Sequence, residues 1–271
     1  MIPVPTVKVR MREDCVMTRS FPMPFAWDFL FSATQTFLPD PNSERNDVMH
    51  NTAARREKLL RMVVVAVFCA LAYACQFVFR IHVAFLTFDA KDAVMAIGAM
   101  IFGPLWGVVM SLLVALLELL TLSGTGVYGF IMNFASSAAF TAICAGVYKH
   151  KRTMTGAVAG LAAAVLGTTA LMLLLNLIVT PYYMTGGSVE AVVELIPTLL
   201  LPFNLTKAMM NAGLVLVLYK PVSVALKKAR VLKGGPDHFA FDKKTLAVLI
   251  GGIALIALCV VIFLVGLHGN F

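Results

Sequence analysis

From residue 62 onward the chain is a series of long apolar stretches, separated by short polar or Gly/Pro-bearing segments. The stretches do not alternate with period two, so they predict helices rather than the strands of a barrel. The first covers about 62–80 and is preceded by Arg55-Arg56-Glu57-Lys58 and Arg61. A second run, 93–122, carries Gly103-Pro104 inside it. Proline breaks a helix, and the residue before it avoids the α region, so two short spans are predicted, at about 89–102 and 105–121. Further spans are predicted at about 128–148 and 155–179, followed by the turn-rich segment 181–188. A sixth helical region, about 190–220, is interrupted by Pro197 and Pro202. Last comes an unbroken apolar run, Leu246 to Leu267, long enough to cross a bilayer once.

Composition fits this pattern. The 271 residues are 60% hydrophobic and 13% charged, whereas a soluble domain has roughly 45–50% apolar and about 25% charged residues. The expectation is an all-α integral membrane protein, multi-pass in the cell membrane. The net charge of +8 does not point to nucleic acid, because the basic residues cluster beside the spans, as the positive-inside rule requires. The same rule supports the split at Gly103-Pro104. With two spans, Lys149-His150-Lys151-Arg152 falls on the side of Arg55–Arg61; with one, it falls outside. Lys220, Lys227, Lys228, Arg230, Lys233, Lys243 and Lys244 then also lie inside, leaving Arg80 and Lys91 outside.

The domain reading is therefore a cytoplasmic, poorly ordered N-terminal extension (1–58) and a six-helix membrane core (59–222). A basic cytoplasmic linker (223–245) and an additional seventh transmembrane helix (246–267) follow. The N-terminus is expected in the cytoplasm and the C-terminus outside. Residues 1–58 lack the clean apolar core of a signal peptide.

Candidate chemistry is sparse. Cys15, Cys69, Cys75, Cys144 and Cys259 are scattered with no CxxC spacing, so neither a disulfide framework nor a metal site is expected. There is no GxxxxGK[ST] and no HExxH, and no cofactor is expected. Gly124-Thr-Gly-Val-Tyr-Gly129 matches GxGxxG in letters only, since a dinucleotide site needs a preceding strand. It reads equally as a tight turn or as a loop that lets backbone approach a ligand. Asp89 and Asp92 suit helix N-caps, with a substrate-contact loop as the alternative. Glu118 has no evident partner in the sequence. An intramembrane enzyme built on Glu118 or Asp89 is the rival reading from a different class. Ala66, Ala70 and Ala74 repeat at every fourth position, which lets a second helix approach closely.

The most informative stretch is 201–220. Asn204, Lys207 and Asn211 fall on one face of an otherwise apolar helix. An ammonium within a span is costly unless it faces a partner, cavity or ligand. Asn176 on span five lies at a similar depth. Two amides and an ammonium suit a neutral planar heterocycle carrying both carbonyl and N–H groups. Asn211, a turn deeper, reads as helix packing.

The segments Phe85-Leu-x-Phe-Asp89, Phe102-Gly-Pro104-x-x-Gly107, Gly126-x-x-Gly129-x-x-Met-Asn133, Asn176-x-x-x-x-Pro181-x-Tyr183 and Pro202-Phe-Asn-Leu-x-Lys207 resemble the S components of energy-coupling factor (ECF) vitamin transporters. The similarity is to the riboflavin-specific type. It covers about residues 60–222. It implies a six-helix, non-enzymatic subunit that captures riboflavin from outside. Implied partners are a transmembrane coupling subunit and two cytoplasmic ATPases. The resemblance implies a ligand site at Asn176, Asn204 and Lys207, with Leu86 and Thr87 from the outer loop and Tyr128 and Gly129. It assigns partner docking to the face of Ala66, Ala70 and Ala74. Residues 1–58 and 246–267 depart from the pattern. An S component for another vitamin is the nearest alternative.

Overall fold

The computed structural model of the chain describes residues 41–78, 81–83, 86–122, 126–182, 188–229 and 243–268. The chain divides into Met1–Ala54 and Arg55–Phe271; the second unit, which begins within the first helix at Arg55, holds the architecture that follows. Its elements are α1 (Pro41–Val78), β1 (Ile81–Val83), β2 (Leu86–Phe88), α2 (Lys91–Phe102), α3 (Pro104–Thr121), α4 (Gly126–His150) and α5 (Met154–Val179). Then come α6 (Val189–Leu195), α7 (Leu201–Lys228) and α8 (Lys243–His268). The helix α1 begins at Pro41, so residues 41–58, expected as part of a poorly ordered tail, are helical. Proline suits a first helical position.

Gly103 separates α2 from α3. It has φ 109° and ψ 163°, a conformation open to glycine and strained for other residues. The chain turns back there, and α2 and α3 form an antiparallel pair. A Cβ on Gly107 would lie 2.7 Å from that of Ala99. At the far end Lys91 reaches Glu118. The two-span reading therefore holds, with one adjustment. The 12 residues of α2 reach only about 18 Å, short of the roughly 30 Å hydrocarbon core. Nine of them are buried, so α2 sits inside the bundle rather than in lipid.

Among the described residues six segments are long and apolar enough to cross a membrane: 55–78, 104–121, 126–150, 154–182, 189–228 and 245–262. Together with α2 they give the six-element core and the added final helix. Helices α4 and α5 pack closely through Gly160, where a Cβ would stand 2.8 Å from the Cys144 carbonyl oxygen. Thr153 caps α5, its hydroxyl accepting from the Gly156 N–H at 3.1 Å. The long sixth region is interrupted by a π-helical turn, Ile196–Leu200, between α6 and α7. It then runs past Pro221 to Lys228, so the start of the expected linker is helical. Residues 230–242 lie outside the described part. The last helix, α8, packs antiparallel on α7: Gly213 meets Gly252 and Ile256, and Lys220 Nζ donates to Thr245 Oγ1 at 2.7 Å.

The ends of the bundle differ in charge. Phe68 of α1 packs edge-on to Phe102, with ring centroids 6.4 Å apart, while Tyr148 and Tyr219 join hydroxyls at 2.8 Å. These contacts bring Arg55–Arg61, the α2–α3 turn, Lys149–Arg152 and the end of α7 to one basic end. At the opposite end the β1–β2 ribbon pairs Ile81 with Phe88, His82 with Thr87 and Val83 with Leu86. An all-helical reading missed this ribbon. Large apolar side chains on the outer faces, such as Leu71, Leu120, Leu166, Leu174 and Ile253, are exposed, which suits contact with lipid chains.

Candidate functional site

A chain of buried charges organises the end opposite the basic one. Lys207 of α7 donates through Nζ to Asp89 Oδ2 at 2.9 Å and to the Thr87 carbonyl at 3.1 Å. Lys91 donates to Glu118 Oε2 at 2.6 Å and stands 3.9 Å from Asp89 Oδ2. Gln76 of α1 donates to the same Glu118 oxygen at 3.2 Å. Asp89, Lys91 and Glu118 are at most 2% exposed. Buried charges persist only when paired, and here each ammonium has a carboxylate. Glu118 thus has the partner that the sequence did not reveal.

Neither aspartate caps α2. The N-cap residue is Ala90, with no side-chain cap. Asp89 is taken up by the lysines, and Asp92 accepts the Ser137 hydroxyl. The cap comes from another helix. Asn211 Oδ1 accepts the Ala93 N–H at 2.9 Å, while Nδ2 donates to the carbonyls of Asp89 at 3.1 Å and Lys207 at 3.0 Å. The packing role expected of Asn211 is thereby specific: it ties the ribbon and α2 to α7.

Beside this network lies a cavity of about 70 Å³. It is lined by Leu86 and Thr87 of β2, by Gly129, Met132, Asn133 and Ser136 of α4, by Met172 of α5, and by Phe203, Asn204 and Lys207 of α7. Five of the seven ligand residues expected from the sequence thus meet at one cavity. Asn176 does not line it. That residue is fully buried, its Nδ2 donating to the Met172 carbonyl at 2.7 Å and its Oδ1 accepting from Thr180 Oγ1 at 2.8 Å. Tyr128 is 42% exposed and also lies off the lining. Asn133, Ser136, Met132, Met172 and Phe203 were not singled out as ligand residues. Asn133 carries a signal of its own, as a polar group within a span; the two methionines and Phe203 are apolar residues in apolar runs and carry none. Gly129 belongs to the first turn of α4 rather than to a loop, and Gly126 before it has φ 59°. Gly124 and Tyr183 lie outside the described residues.

Chemically, the cavity lining offers amides, hydroxyls and an ammonium, with two thioethers and an aromatic ring. Two of the three Lys207 N–H donors are engaged, leaving one. Its charge is balanced by Asp89, so the wall donates hydrogen bonds without demanding an anion. Methionine sulfur and phenylalanine favour an aromatic face. Among the described residues no cluster of side chains could hold a metal.

On α1, Ala66, Ala70 and Ala74 are exposed, in contrast to buried Ala72. Ala66 and Ala70 border an apolar groove of about 500 Å³ between α1 and α3.

Residues 60–221 match the family described as "ECF transporter, substrate-specific component". The riboflavin transporter RibU of Staphylococcus aureus (strain TCH60) is 26% identical over 180 residues, covering 62% of this chain and 93% of that protein. A solved S component of a bacterial ECF transporter superposes with a TM-score of 0.53 at 27% identity, over 62% of this chain and 97% of the other.

Proposed function

The chain belongs to the substrate-specific components of ECF transporters, and on that premise we propose that it is the riboflavin-binding subunit of an ATP-driven importer. It is a multi-pass membrane protein and a transport component, not an enzyme. The observation that carries the ligand class is the cavity wall of Lys207, Asn204, Asn133 and Ser136. A flavin ring presents carbonyls and an N–H along one edge and an apolar face elsewhere, and this set can match both. The similarity to a riboflavin transporter supports the same choice.

Lys207 donates its remaining N–H to a ring carbonyl. Asn204 supplies an amide beside it, and Leu86, Thr87 and Gly129 close the cavity. Asn176 contributes if it releases Thr180, and Tyr128 flanks the approach. Binding requires the walls to move, since ligand pockets commonly enclose about 300–1,000 Å³ and this cavity encloses about 70 Å³. Asn211 and the Asp89–Lys207 pair limit that movement to parts outside the network.

Positive charge at the end bearing Arg55–Arg61, Lys149–Arg152 and Lys227–Lys228 supports a cytoplasmic basic end. The N-terminus is then inside and the cavity opens outside. A transmembrane coupling subunit docks on the exposed Ala66, Ala70 and Ala74 face, and two cytoplasmic ATPases drive release.

The test is the absorption spectrum of the purified protein, with thermal unfolding against a panel of riboflavin, thiamine and biotin. A yellow protein stabilised by riboflavin alone is expected. A colourless protein stabilised by another vitamin would overturn the choice of ligand.

A further inference from the structure

A second cavity, about 260 Å³, opens at the basic end, between the α2–α3 turn and the end of α4. One wall is cationic, formed by Lys149 and Arg152, and the other is apolar, formed by Met100, Ile101, Leu105 and Trp106. Among the described residues no acidic residue lines it. Among the described residues neither Lys149 nor Arg152 has a carboxylate partner. The first turn of α3 also faces this end. It has no side-chain cap and no acidic residue, so its amide dipoles add to the positive potential. Leu105, at the rim, is 80% exposed, and Trp106 beside it is of the type enriched at the membrane–water boundary.

The ligand must therefore satisfy two requirements. Two unpaired cations at one cavity call for an anion with several acceptor oxygens, and bidentate phosphate recognition suits arginine. The apolar wall calls for hydrocarbon attached to that anion. A soluble phosphate meets only the first requirement, and its attraction to exposed cations is screened within about 8 Å at physiological salt. A phospholipid meets both, because the bilayer holds its headgroup at the height where the spans end. We propose that this cavity is a binding site for an anionic phospholipid of the leaflet at the basic end. The phosphate lies between Lys149 and Arg152 and the acyl chains run along Leu105 and Trp106. The site is separate from the riboflavin cavity, so the two proposals stand or fall independently.

The chain has two tryptophans, Trp27 and Trp106, so a Trp27→Phe variant reports from Trp106, which borders both this cavity and the α1–α3 groove. The difference between the two lipids, read against the Lys149/Arg152 variant, isolates the cavity. Its fluorescence would be read in nanodiscs containing equal fractions of brominated phosphatidylglycerol or brominated phosphatidylcholine. Stronger quenching by phosphatidylglycerol is expected, corresponding to a preference on the order of tenfold for two basic contacts. Lys149→Gln/Arg152→Gln should abolish the preference while riboflavin affinity stays unchanged. Arg152→Lys, which keeps the charge, should retain most of it. Lys58→Gln/Arg61→Gln, which removes the same charge elsewhere at that end, should leave it intact. The proposal is overturned if the Lys149/Arg152 double variant still prefers phosphatidylglycerol, or if the Lys58/Arg61 variant loses the preference equally. It is also overturned if millimolar inorganic phosphate displaces brominated phosphatidylglycerol completely, which would mark a soluble-anion site.

Discussion

Replacing Lys207 by methionine separates what the buried network does for folding from what it does for binding. The ammonium lies 2.9 Å from Asp89 Oδ2, and that carboxylate is 1% exposed. Removing one partner of a buried pair leaves the other uncompensated, at a cost of about 3–5 kcal/mol. Lys91 softens this, but at 3.9 Å it makes only a long contact with Asp89 and is already engaged by Glu118 at 2.6 Å. Lys207→Met should therefore lower thermal stability clearly. Adding Asp89→Asn removes the stranded charge while leaving the Lys91–Glu118 pair intact, so the double variant should recover much of the loss. Binding should behave differently. A hydrogen bond from a charged donor contributes roughly 1.5–3 kcal/mol, or about ten- to hundredfold in affinity. Both the single and the double variant lack that donor, so both should bind riboflavin that much more weakly. Thermal unfolding in detergent and flavin fluorescence titration read the two quantities separately. The reasoning fails if the double variant is no more stable than Lys207→Met, or if it binds with wild-type affinity.

Three further outcomes follow from the packing. Asn211→Ala strips partners from the buried Ala93 N–H and the Asp89 carbonyl, so stability should fall by roughly 1–3 kcal/mol per stranded group. Asn211→Asp keeps an acceptor for the Ala93 N–H but turns a buried carboxylate toward two carbonyl oxygens. It should therefore destabilise at least as much as Asn211→Ala, as read by thermal unfolding. Gly160→Ala places a Cβ 2.8 Å from the Cys144 carbonyl, and overpacking of this kind costs about 1–3 kcal/mol. A lowered unfolding temperature with unchanged ligand stoichiometry is expected. Ala70→Trp puts bulk on an exposed face away from the cavity, so riboflavin binding should persist while vesicle uptake with the coupling subunit and ATPases falls.

How much of this was legible in the sequence differs from element to element. The spans were, because bilayer thickness imposes a length and an apolarity that single residues cannot hide. Gly103-Pro104 marked the reversal, and charge placement chose between one span and two. The β1–β2 ribbon was not legible: three residues per strand are too few for alternation to register. Lys207 announced itself, since a lone lysine in an apolar run needs a reason. Its partner did not, because Asp89 lies 118 positions away and looked like an ordinary helix cap. The same distance in sequence hid the true cap, Asn211. Asn176 shows the opposite limit. Its depth was readable, but whether its amide faces the cavity or closes on its own helix depends on a rotamer that no sequence pattern specifies.

Titration of the purified protein with riboflavin, followed by quenching of the vitamin's own fluorescence, tests the central claim most directly. The expected result is saturable quenching at one ligand per chain with sub-micromolar affinity, weakened at least tenfold in Lys207→Met. Absence of quenching by the folded, monodisperse protein, or equal affinity in Lys207→Met, would contradict it.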